Sequence, residues 1–592
     1  YSGGTQVAAG KVALDANTAL GAGSATFATD TELSLGVTKG LSVANAIEVD
    51  GEVDVHSGKF DSSLTGIISG AGSLVKDGTG QLSLTQDNTY SGGTQVAAGK
   101  VALDANAALG TGKATFAQNT ELSLGVTQGV SVANAVQVDG AIKVHSGQFD
   151  SNLDGVVSGV GSLVKDGAGT LTLKGTNIYE GGTVVSDGTL AISQNANLGK
   201  AETGVTVSNA TLLLNGDIAI ERKVTLAGTT ATLNTAQDTS SSLDDAVSGT
   251  AKLIKTGDGT LTLNTANSYA GGTQIAKGTL AISNDASLGA KAGKFGVDVV
   301  IDDAATLALT GNVAAARKLA LTGSTAIIDT AKNTSSSLSD VISGSAKLVK
   351  EGEGSLTLSG VNTYAGSTDI NAGTLVISQD GNLGKAGTGV AINNATLSLN
   401  GSVAVDRTIA LAGTTATVNT TTGSSSLVKE VSGSAALVKT GAGTLTLNSA
   451  NSYTGDTQIT GGTLAIDAND KLGTGTKVTI SDATLALTDT VALNRTLDVT
   501  GIATVDTATG SNSSLDKTVN GSGQLVKTGA GTLELTQANS YTGGTAIKAG
   551  EIVLGANAAL GTGAATFATD TELSFSQGLS VANAVQVDGK VQ

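Results

Sequence analysis

Residues 74–94 read Leu74-Val-Lys-Asp-Gly-Thr-Gly-Gln-Leu-Ser-Leu-Thr-Gln-Asp-Asn-Thr-Tyr90-Ser-Gly-Gly-Thr94, and this stretch decides the fold because it recurs. Equivalent stretches begin at five further leucines: Leu163, Leu253, Leu348, Leu437 and Leu525. The seven tyrosines follow the same spacing, at intervals of 89, 89, 90, 95, 89 and 88 residues. The 592-residue chain is therefore an array of one long repeat, and its function must be sought in the array.

The unbroken period predicts one continuous β-solenoid over residues 1–592, because no proline-rich or charged linker separates the copies. The predicted repeat units are 1–89, 90–178, 179–268, 269–363, 364–452, 453–540 and the partial unit 541–592. Since the sequence begins and ends inside a repeat, we expect further β-helical repeats of a longer chain at both ends. An isolated fragment would then stack end to end or fray.

Composition indicates a thin aliphatic core. Hydrophobic residues make up 40% of the chain and glycine contributes 82 residues, whereas Pro, Cys, Met and Trp are missing from the sequence. A net charge of -17 argues against nucleic acid or an anionic membrane as partner. The lack of cysteine removes disulfides and thiolate metal sites, which is compatible with export. We expect no cofactor.

Short apolar runs such as Leu171-Thr-Leu173 and Leu190-Ala-Ile192 alternate with small polar residues, and this period of two is typical of half-buried strands. Two all-β folds fit the pattern. In a parallel β-helix of about 22 residues per turn, each unit makes about four turns, and the tyrosines lie in one line about 19 Å apart. In the alternative, each unit is a small antiparallel module with a glycine-containing hairpin. The β-helix is favoured because linkers are missing.

Two local features are left open by the pattern. Strict alternation places Leu163 and Lys165 on one face, yet lysine is almost never buried without a partner, so either a bend at Lys165 or an inward Val164 would be needed.

The stretch from Gly289 to Ala305 is five residues longer than its counterpart in the previous unit. We predict a local bulge there, including Phe295, that leaves the strand register intact.

The repeats fall into two subtypes. One carries Ala-Thr-Phe-Ala followed by Val-Ala-Asn-Ala, with the phenylalanines Phe27, Phe116 and Phe567. The other carries the four arginines of the chain, Arg222, Arg317, Arg407 and Arg495. We call these Phe-type and Arg-type repeats.

The tyrosines and the asparagines two residues before them are the landmarks of the repeat: Tyr90, Tyr179, Tyr269, Tyr364, Tyr453, Tyr541, Asn88, Asn177, Asn267, Asn362, Asn451 and Asn539. Aromatic faces and amides in a row would suit sugar binding. A structural role is favoured instead, in which tyrosine caps the edge of a turn and asparagine fixes a turn through hydrogen bonds with its own backbone.

Catalytic and metal chemistry find little support in the pattern. The two histidines, His56 and His145, are 89 residues apart in matching Val-His-Ser-Gly contexts, so they are copies of one repeat position and not a ligand pair. Acidic residues near the glycine-rich turn occur singly and vary between units, as Asp77, Asp166, Asp258 and Glu353. We therefore expect no catalytic residues, no cofactor-binding residues and no metal site.

The motif Leu-Val/Ile-Lys-x-Gly-x-Gly-x-Leu-x-Leu-x-x-x-Asn-x-Tyr-x-Gly-x-Thr, followed by Gly-Thr-Leu-x-Ile at Gly188, resembles the autotransporter-associated β-strand repeat of Gram-negative passenger domains. That family is also known for its passenger-associated transport repeat. The resemblance covers essentially the whole chain. It implies a right-handed parallel β-helix displayed on the outer membrane or secreted, and it implies no enzymatic activity.

The first functional hypothesis is a structural and adhesive bacterial surface protein: a rigid extracellular rod that presents an adhesive region or mediates cell-cell or biofilm contacts. Its partners would be host or bacterial glycans or proteins, or like molecules on neighbouring cells. The alternative is a polysaccharide-binding or polysaccharide-cleaving β-helix. A lateral groove with two carboxylates about 5–10 Å apart would support that alternative.

Overall fold

The computed structural model describes residues 1–36, 38–125, 127–291, 296–576 and 578–588. The predicted all-β fold is confirmed, because short strands stack in parallel as a β-solenoid. The strand pairings of the described residues are parallel, so the alternative of antiparallel modules is wrong. The described helices are four 3-10 helices of four residues each: Asn195–Leu198, Asp285–Leu288, Asp380–Leu383 and Asn469–Leu472.

The chain divides into two compact units, residues 1–298 and residues 299–592. In the first unit, the Phe-type repeat from Leu74 has the strands Ser73–Asp77, Gln81–Leu84, Thr94–Val96, Lys100–Leu103, Ala114–Phe116, Glu121–Leu124, Ser131–Val132, Val136–Val138, Ile142–Ser146, Ser151–Leu153 and Val157–Ser158. The Arg-type repeat from Leu163 has the strands Leu163–Asp166, Thr170–Leu173, Thr183–Val185, Thr189–Ile192, Val205–Ser208, Thr211–Leu214, Ala219–Ile220, Val224–Ala227, Thr230–Thr235, Ser240–Leu243 and Val247–Gly249.

The second unit repeats this order. Its repeat from Leu348 has the strands Lys347–Glu351, Ser355–Leu358, Thr368–Ile370, Thr374–Ile377, Val390–Asn393, Thr396–Leu399, Ala404–Val405, Ile409–Ala412, Thr415–Thr420, Ser424–Leu427 and Val431–Gly433. Two strands are longer because they run around a corner of the solenoid: Lys477–Leu487 and Thr496–Thr507.

Each turn of the solenoid has three sides, and the repeat is longer than four turns. Leu163 pairs with Thr183, which pairs with Val205, Val224 and then Val247 on successive turns of one sheet. Four full turns therefore lead from Leu163 to Val247. The next six residues take the chain along one more side of the solenoid. As a result Leu253, the equivalent of Leu163, pairs with Ala231 in a different sheet. A turn holds about 21 residues, and the repeat is four turns plus about one third of a turn.

This geometry overturns the expected single line of tyrosines. The residue before each tyrosine donates its backbone NH to a strand of the preceding turn: Thr89 to Ile68, Ile178 to Val157 and Ser268 to Val247. These three acceptor strands belong to three different sheets. Consecutive tyrosines therefore lie on successive sides, because a third of a turn is added with every repeat.

The core consists of inward columns of aliphatic side chains in strand register. Leu171, Leu190, Leu212 and Leu233 face one another on four successive turns and are fully buried. Parallel strands stack about 4.8 Å apart, so such a column excludes water without large side chains. This arrangement explains how a chain with so few aromatic residues forms a solid core.

The two features that the pattern left open have different outcomes. Lys165 points inward together with Leu163, and Val164 lies between them at the half-buried surface, so alternation is strict and neither a bend nor an inward Val164 is used. Of the stretch from Gly289 to Ala305 with the predicted bulge, residues 292–295, which include Phe295, lie outside the described residues.

Candidate functional site

The inward lysine of the motif is held by a collar of backbone carbonyls. The Lys165 ammonium donates to the carbonyls of Asp166, Gly167 and Asp187 at 3.1, 2.6 and 3.0 Å. Three acceptors match the three donors of an ammonium group. Burial lowers the pKa of Lys165 to about 8. The same three-carbonyl collar surrounds the other motif lysines, Lys76, Lys255, Lys350, Lys439 and Lys527.

Each landmark asparagine joins three successive turns. The Asn177 side-chain oxygen accepts from the backbone NH of Val157 at 2.7 Å, and its amide nitrogen donates to the carbonyl of Asn197 at 2.6 Å. These partners lie 20 residues before and 20 residues after it. The expected hydrogen bonds of this asparagine with its own backbone are therefore wrong, because its side chain bonds to the backbone of the two neighbouring turns.

The landmark tyrosines lie inside the solenoid. Tyr179 is fully buried, and its hydroxyl is 2.6 Å from Thr183 Oγ1, which donates in turn to the carbonyl of Leu198. Burial raises the pKa of Tyr179 to about 12, with small opposing effects of Thr183 and Arg222. The rings are therefore not available as a sugar-binding row, and they pack in the core and do not cap an edge.

Arg222 and Arg407 bind the carbonyls at both ends of the 3-10 helix on the preceding turn. The Arg222 guanidinium donates to the carbonyls of Leu198, Lys200 and Asn195 at 2.9, 3.1 and 3.0 Å. Arg407 repeats these contacts, and its Nε lies 2.9 Å from Asp380 Oδ1. The last carbonyls of a helix have no partner within the helix, so a guanidinium satisfies them.

The Phe-type repeats use an asparagine at the equivalent place. The Asn134 amide nitrogen donates to the carbonyls of Gly110 and Gly112 at 3.0 and 2.7 Å. Asn45 and Asn583 make the corresponding bonds. The Val-Ala-Asn-Ala motif and the single arginine are thus two solutions to the same problem. The sequence shows both the Val-Ala-Asn-Ala motif and the single arginine, but it does not show that the two occupy the same place in the repeat.

The two histidines lie on different sides of the first unit. His56 is in strand Glu52–His56, and His145 is in strand Ile142–Ser146 of another sheet. His56 Nδ1 is 2.6 Å from Asp77 Oδ1, and His145 Nδ1 is 3.7 Å from Asp166 Oδ2. Each histidine therefore pairs with the carboxylate on the adjacent turn, and the two do not form a joint site.

Two surface depressions on the described residues each have one carboxylate in their lining. One is lined by Glu121 and Lys143, and Glu121 is 2.8 Å from Lys100. Another is lined by Thr463, Thr484 and Asp482. Cleavage of a glycosidic bond needs two carboxyl groups across the bond, which neither depression supplies.

Among the described residues, no group of three or more His, Asp or Glu side chains could hold a metal ion. The search for a helix long and apolar enough to cross a membrane also found none in the described ranges.

The recurring side chains form one connected set in each repeat, and its chemistry is that of hydrogen bonding between turns. Lysine, asparagine, tyrosine and threonine join the turn of the motif to its neighbours, and arginine or asparagine joins the next pair of turns. Sequence reasoning missed the threonine four residues after each tyrosine and the inward lysine. Their invariance across the six motif copies was the available signal.

A family model described as Passenger-associated-transport-repeat matches residues 74–103, 163–192, 253–282, 348–377, 437–466 and 525–554. The chain carries six passenger-associated-transport-repeats. Each match contains the buried lysine, the bridging asparagine and the tyrosine-threonine pair, so the residues that define the repeat are those that join its turns. The resemblance expected from the motif is confirmed.

A curated relative of these repeats is the adhesin BmaC autotransporter of Brucella suis biovar 1 (strain 1330). It is 33% identical over 449 residues, which is 68% of this chain and 13% of the relative. No solved structure gives a significant match.

Proposed function

We propose that this chain is part of a structural and adhesive protein of a bacterial surface, extracellular and either anchored to the outer membrane or secreted. In this proposal the repeats form a rigid rod that presents an adhesive region or mediates contacts between cells in a biofilm. Its partners are host or bacterial glycans or proteins, or like molecules on neighbouring cells.

One observation carries the proposal: the side chains that recur in every repeat are used inside the solenoid. The motif lysine, the landmark asparagine and the landmark tyrosine are buried and bonded to adjacent turns, as Lys165, Asn177 and Tyr179 show. A repeat of this kind specifies a scaffold, and its outer side chains are free to differ from copy to copy. The similarity to an autotransporter adhesin gives the second line of support.

The adhesive part of the proposal is tested with beads coated with the purified chain. We expect the beads to attach to bacterial or epithelial cells, and soluble chain to compete for attachment. Beads coated with albumin provide the control. Failure of coated beads to attach above this control, together with release of reducing ends from a panel of polysaccharides, would favour the polysaccharide-cleaving alternative.

The scaffold part of the proposal is tested separately by deleting residues 90–178, which removes one full repeat and keeps the period. Small-angle scattering should show a maximum dimension shorter by about 20 Å, the rise of four turns and a third at the parallel-strand spacing. An unchanged or irregularly altered dimension would contradict a solenoid that grows by whole repeats.

A further inference from the structure

We propose that two exposed loops of the folded chain modify themselves: Asn215 and Asn400 each react with the glycine that follows, lose ammonia and become aspartate or isoaspartate. The sequence contains three Asn-Gly pairs, Asn215-Gly216, Asn400-Gly401 and Asn520-Gly521. The structure places the first two pairs in loops and the third in a strand. The modification is independent of what the protein adheres to, because it needs only water and no partner or cofactor.

The reaction joins the backbone nitrogen of the glycine to the side-chain carbonyl carbon of the asparagine. The bond between Cγ and Nδ2 breaks, and the amide nitrogen leaves as ammonia with the proton of the glycine nitrogen, so that a cyclic imide remains. Water then opens the imide at one of its two carbonyls. One opening gives aspartate, and the other gives isoaspartate, in which the backbone runs through Cβ and Cγ. Glycine favours ring closure because it has no Cβ to shield its nitrogen.

Asn215 and Asn400 occupy the same position in two Arg-type repeats. Asn215 directly follows strand Thr211–Leu214, and Asn400 directly follows strand Thr396–Leu399. Both residues are exposed, in the loop that leads to the next strand. Water therefore reaches the side-chain amide and the imide that forms from it.

The backbone nitrogens of Gly216 and Gly401 are available for attack. Neither backbone NH has an acceptor among the residues that the structure describes. Such an NH can lose its proton without breaking a contact of the fold. The Thr421 hydroxyl donates to Asn400 Oδ1 at 3.2 Å, and this bond polarises the carbonyl that is attacked.

The next turn holds each glycine by its carbonyl. Ser241 Oγ donates to the Gly216 carbonyl at 2.8 Å and accepts from the backbone NH of Ile218 at 3.2 Å. In the second unit, Ser425 Oγ donates to the Gly401 carbonyl at 2.9 Å. The carbonyl side of each glycine is therefore fixed, whereas its nitrogen is left to react.

Asn520 lies in a different environment. It belongs to strand Val519–Gly521 and pairs with Asp498 of the preceding turn. Its side-chain oxygen accepts from the Ser540 hydroxyl at 2.9 Å. Ring closure requires rotation about the Cα–C bond away from the extended geometry of a strand. The strand must therefore open before Asn520 can react.

The two products differ in their effect on the loop. Aspartate adds a negative charge at an exposed position, whereas isoaspartate also lengthens the backbone by one atom on the nitrogen side of the glycine. The added atom displaces Gly216 from Ser241, so the bonds of that serine to Gly216 and Ile218 are lost. We therefore expect isoaspartate to loosen the contact between the loop and the next turn.

The experiment incubates the folded chain 1–592 at neutral and at mildly alkaline pH and follows the three Asn-Gly peptides by mass spectrometry. Modification adds about one dalton, and an isoaspartyl methyltransferase labels the isoaspartate product. We expect Asn215 and Asn400 to be modified, and faster at the higher pH because the attacking nitrogen must lose its proton. Asn520 should react at least roughly tenfold more slowly, because its strand must open first. In the chain unfolded in urea, all three should react at similar rates.

The variants Asn215→Gln and Asn400→Gln assign the modified sites. Each should remove modification from its own peptide and leave the other loop unchanged. After incubation, hydrogen exchange should show lost protection at Ile218 and Val403 in the native chain, but not at Ile218 in Asn215→Gln. Equal rates at Asn520 and Asn215 in the folded chain would overturn the proposal. It would also be overturned if the two loops stayed unmodified while the unfolded chain reacted.

Discussion

Gly199 packs against Tyr179 of the preceding turn so closely that no other residue fits. A Cβ atom at Gly199 would lie 2.7 Å from the Tyr179 carbonyl oxygen and 2.8 Å from its ring. The φ angle of Gly199 is +80°, which also favours glycine. The same relation, with a spacing of 20 residues, joins each further landmark tyrosine to a glycine: Gly110, Gly289, Gly384, Gly473 and Gly561.

We predict that Gly199→Ala destabilises its turn by more than the backbone strain alone. The control is Gly387→Ala, because Gly387 has a φ of +85° and no atom within 4 Å of the added Cβ. The control should cost about 1 kcal/mol and Gly199→Ala roughly 2–3 kcal/mol more, from the clash with Tyr179. Hydrogen exchange of the turns around each site measures the difference. Equal loss of protection in both variants would show that the ring relaxes freely.

We predict that Asn177→Asp weakens the contacts of its turn with both neighbours. A carboxylate cannot donate to the carbonyl of Asn197, and a buried charge is added, so the local cost should be roughly 2–4 kcal/mol. The matched control is Asn215→Asp on the exposed loop of the same repeat, which should change little. Hydrogen exchange of residues 157–200 provides the measurement. Similar exchange in both variants would remove the bridging role of Asn177.

We predict that nitration of the native chain with tetranitromethane modifies Tyr1 and spares the six landmark tyrosines. Tyr1 is 74% exposed, whereas Tyr90, Tyr179 and the others are fully buried. Their raised pKa values also reduce the phenolate that reacts. Peptide mass spectrometry identifies the modified sites, and the unfolded chain, in which all seven tyrosines react, is the control. Rapid nitration of Tyr179 in the native chain would contradict its burial.

We predict that the six motif lysines give the stability of the folded chain an unusual dependence on pH. Burial lowers the pKa of Lys165 to about 8, compared with an ordinary value of 10.5. As pH rises through 8 the folded chain releases these protons while the unfolded chain keeps them, so stability increases with pH between about 8 and 10. Above about 10 the unfolded tyrosines ionise before the buried ones, and stability falls again.

The titration of nitrogen-15-labelled lysine ammonium groups by NMR checks this prediction. Six signals should titrate near pH 8, and Lys165→Met should remove one of them. Six motif lysines that titrate together with the exposed ones would show that the carbonyl collar fully compensates for burial.

The amino-acid sequence by itself determined the repeat and the strand type, and it favoured parallel stacking over antiparallel modules without deciding between them. Alternation in Leu171-Thr-Leu173 identifies the inward positions, because successive side chains of a strand point to opposite faces. The asparagine two residues before each tyrosine, and that tyrosine, were recognised as landmarks of the repeat. The family resemblance followed from the same residues, because they join the turns and therefore define the motif.

Only the tertiary structure decided where these residues lie relative to one another. The length of a turn depends on how three sides close around the core, and no local pattern reports that a repeat adds a third of a turn and carries Tyr90 and Tyr179 to different sides. The inward position of Lys165 depends on carbonyls of the next turn, 22 residues away, that compensate for its burial. Sequence periodicity records what each residue does within its strand, whereas the partners across turns exist only once the chain is wound.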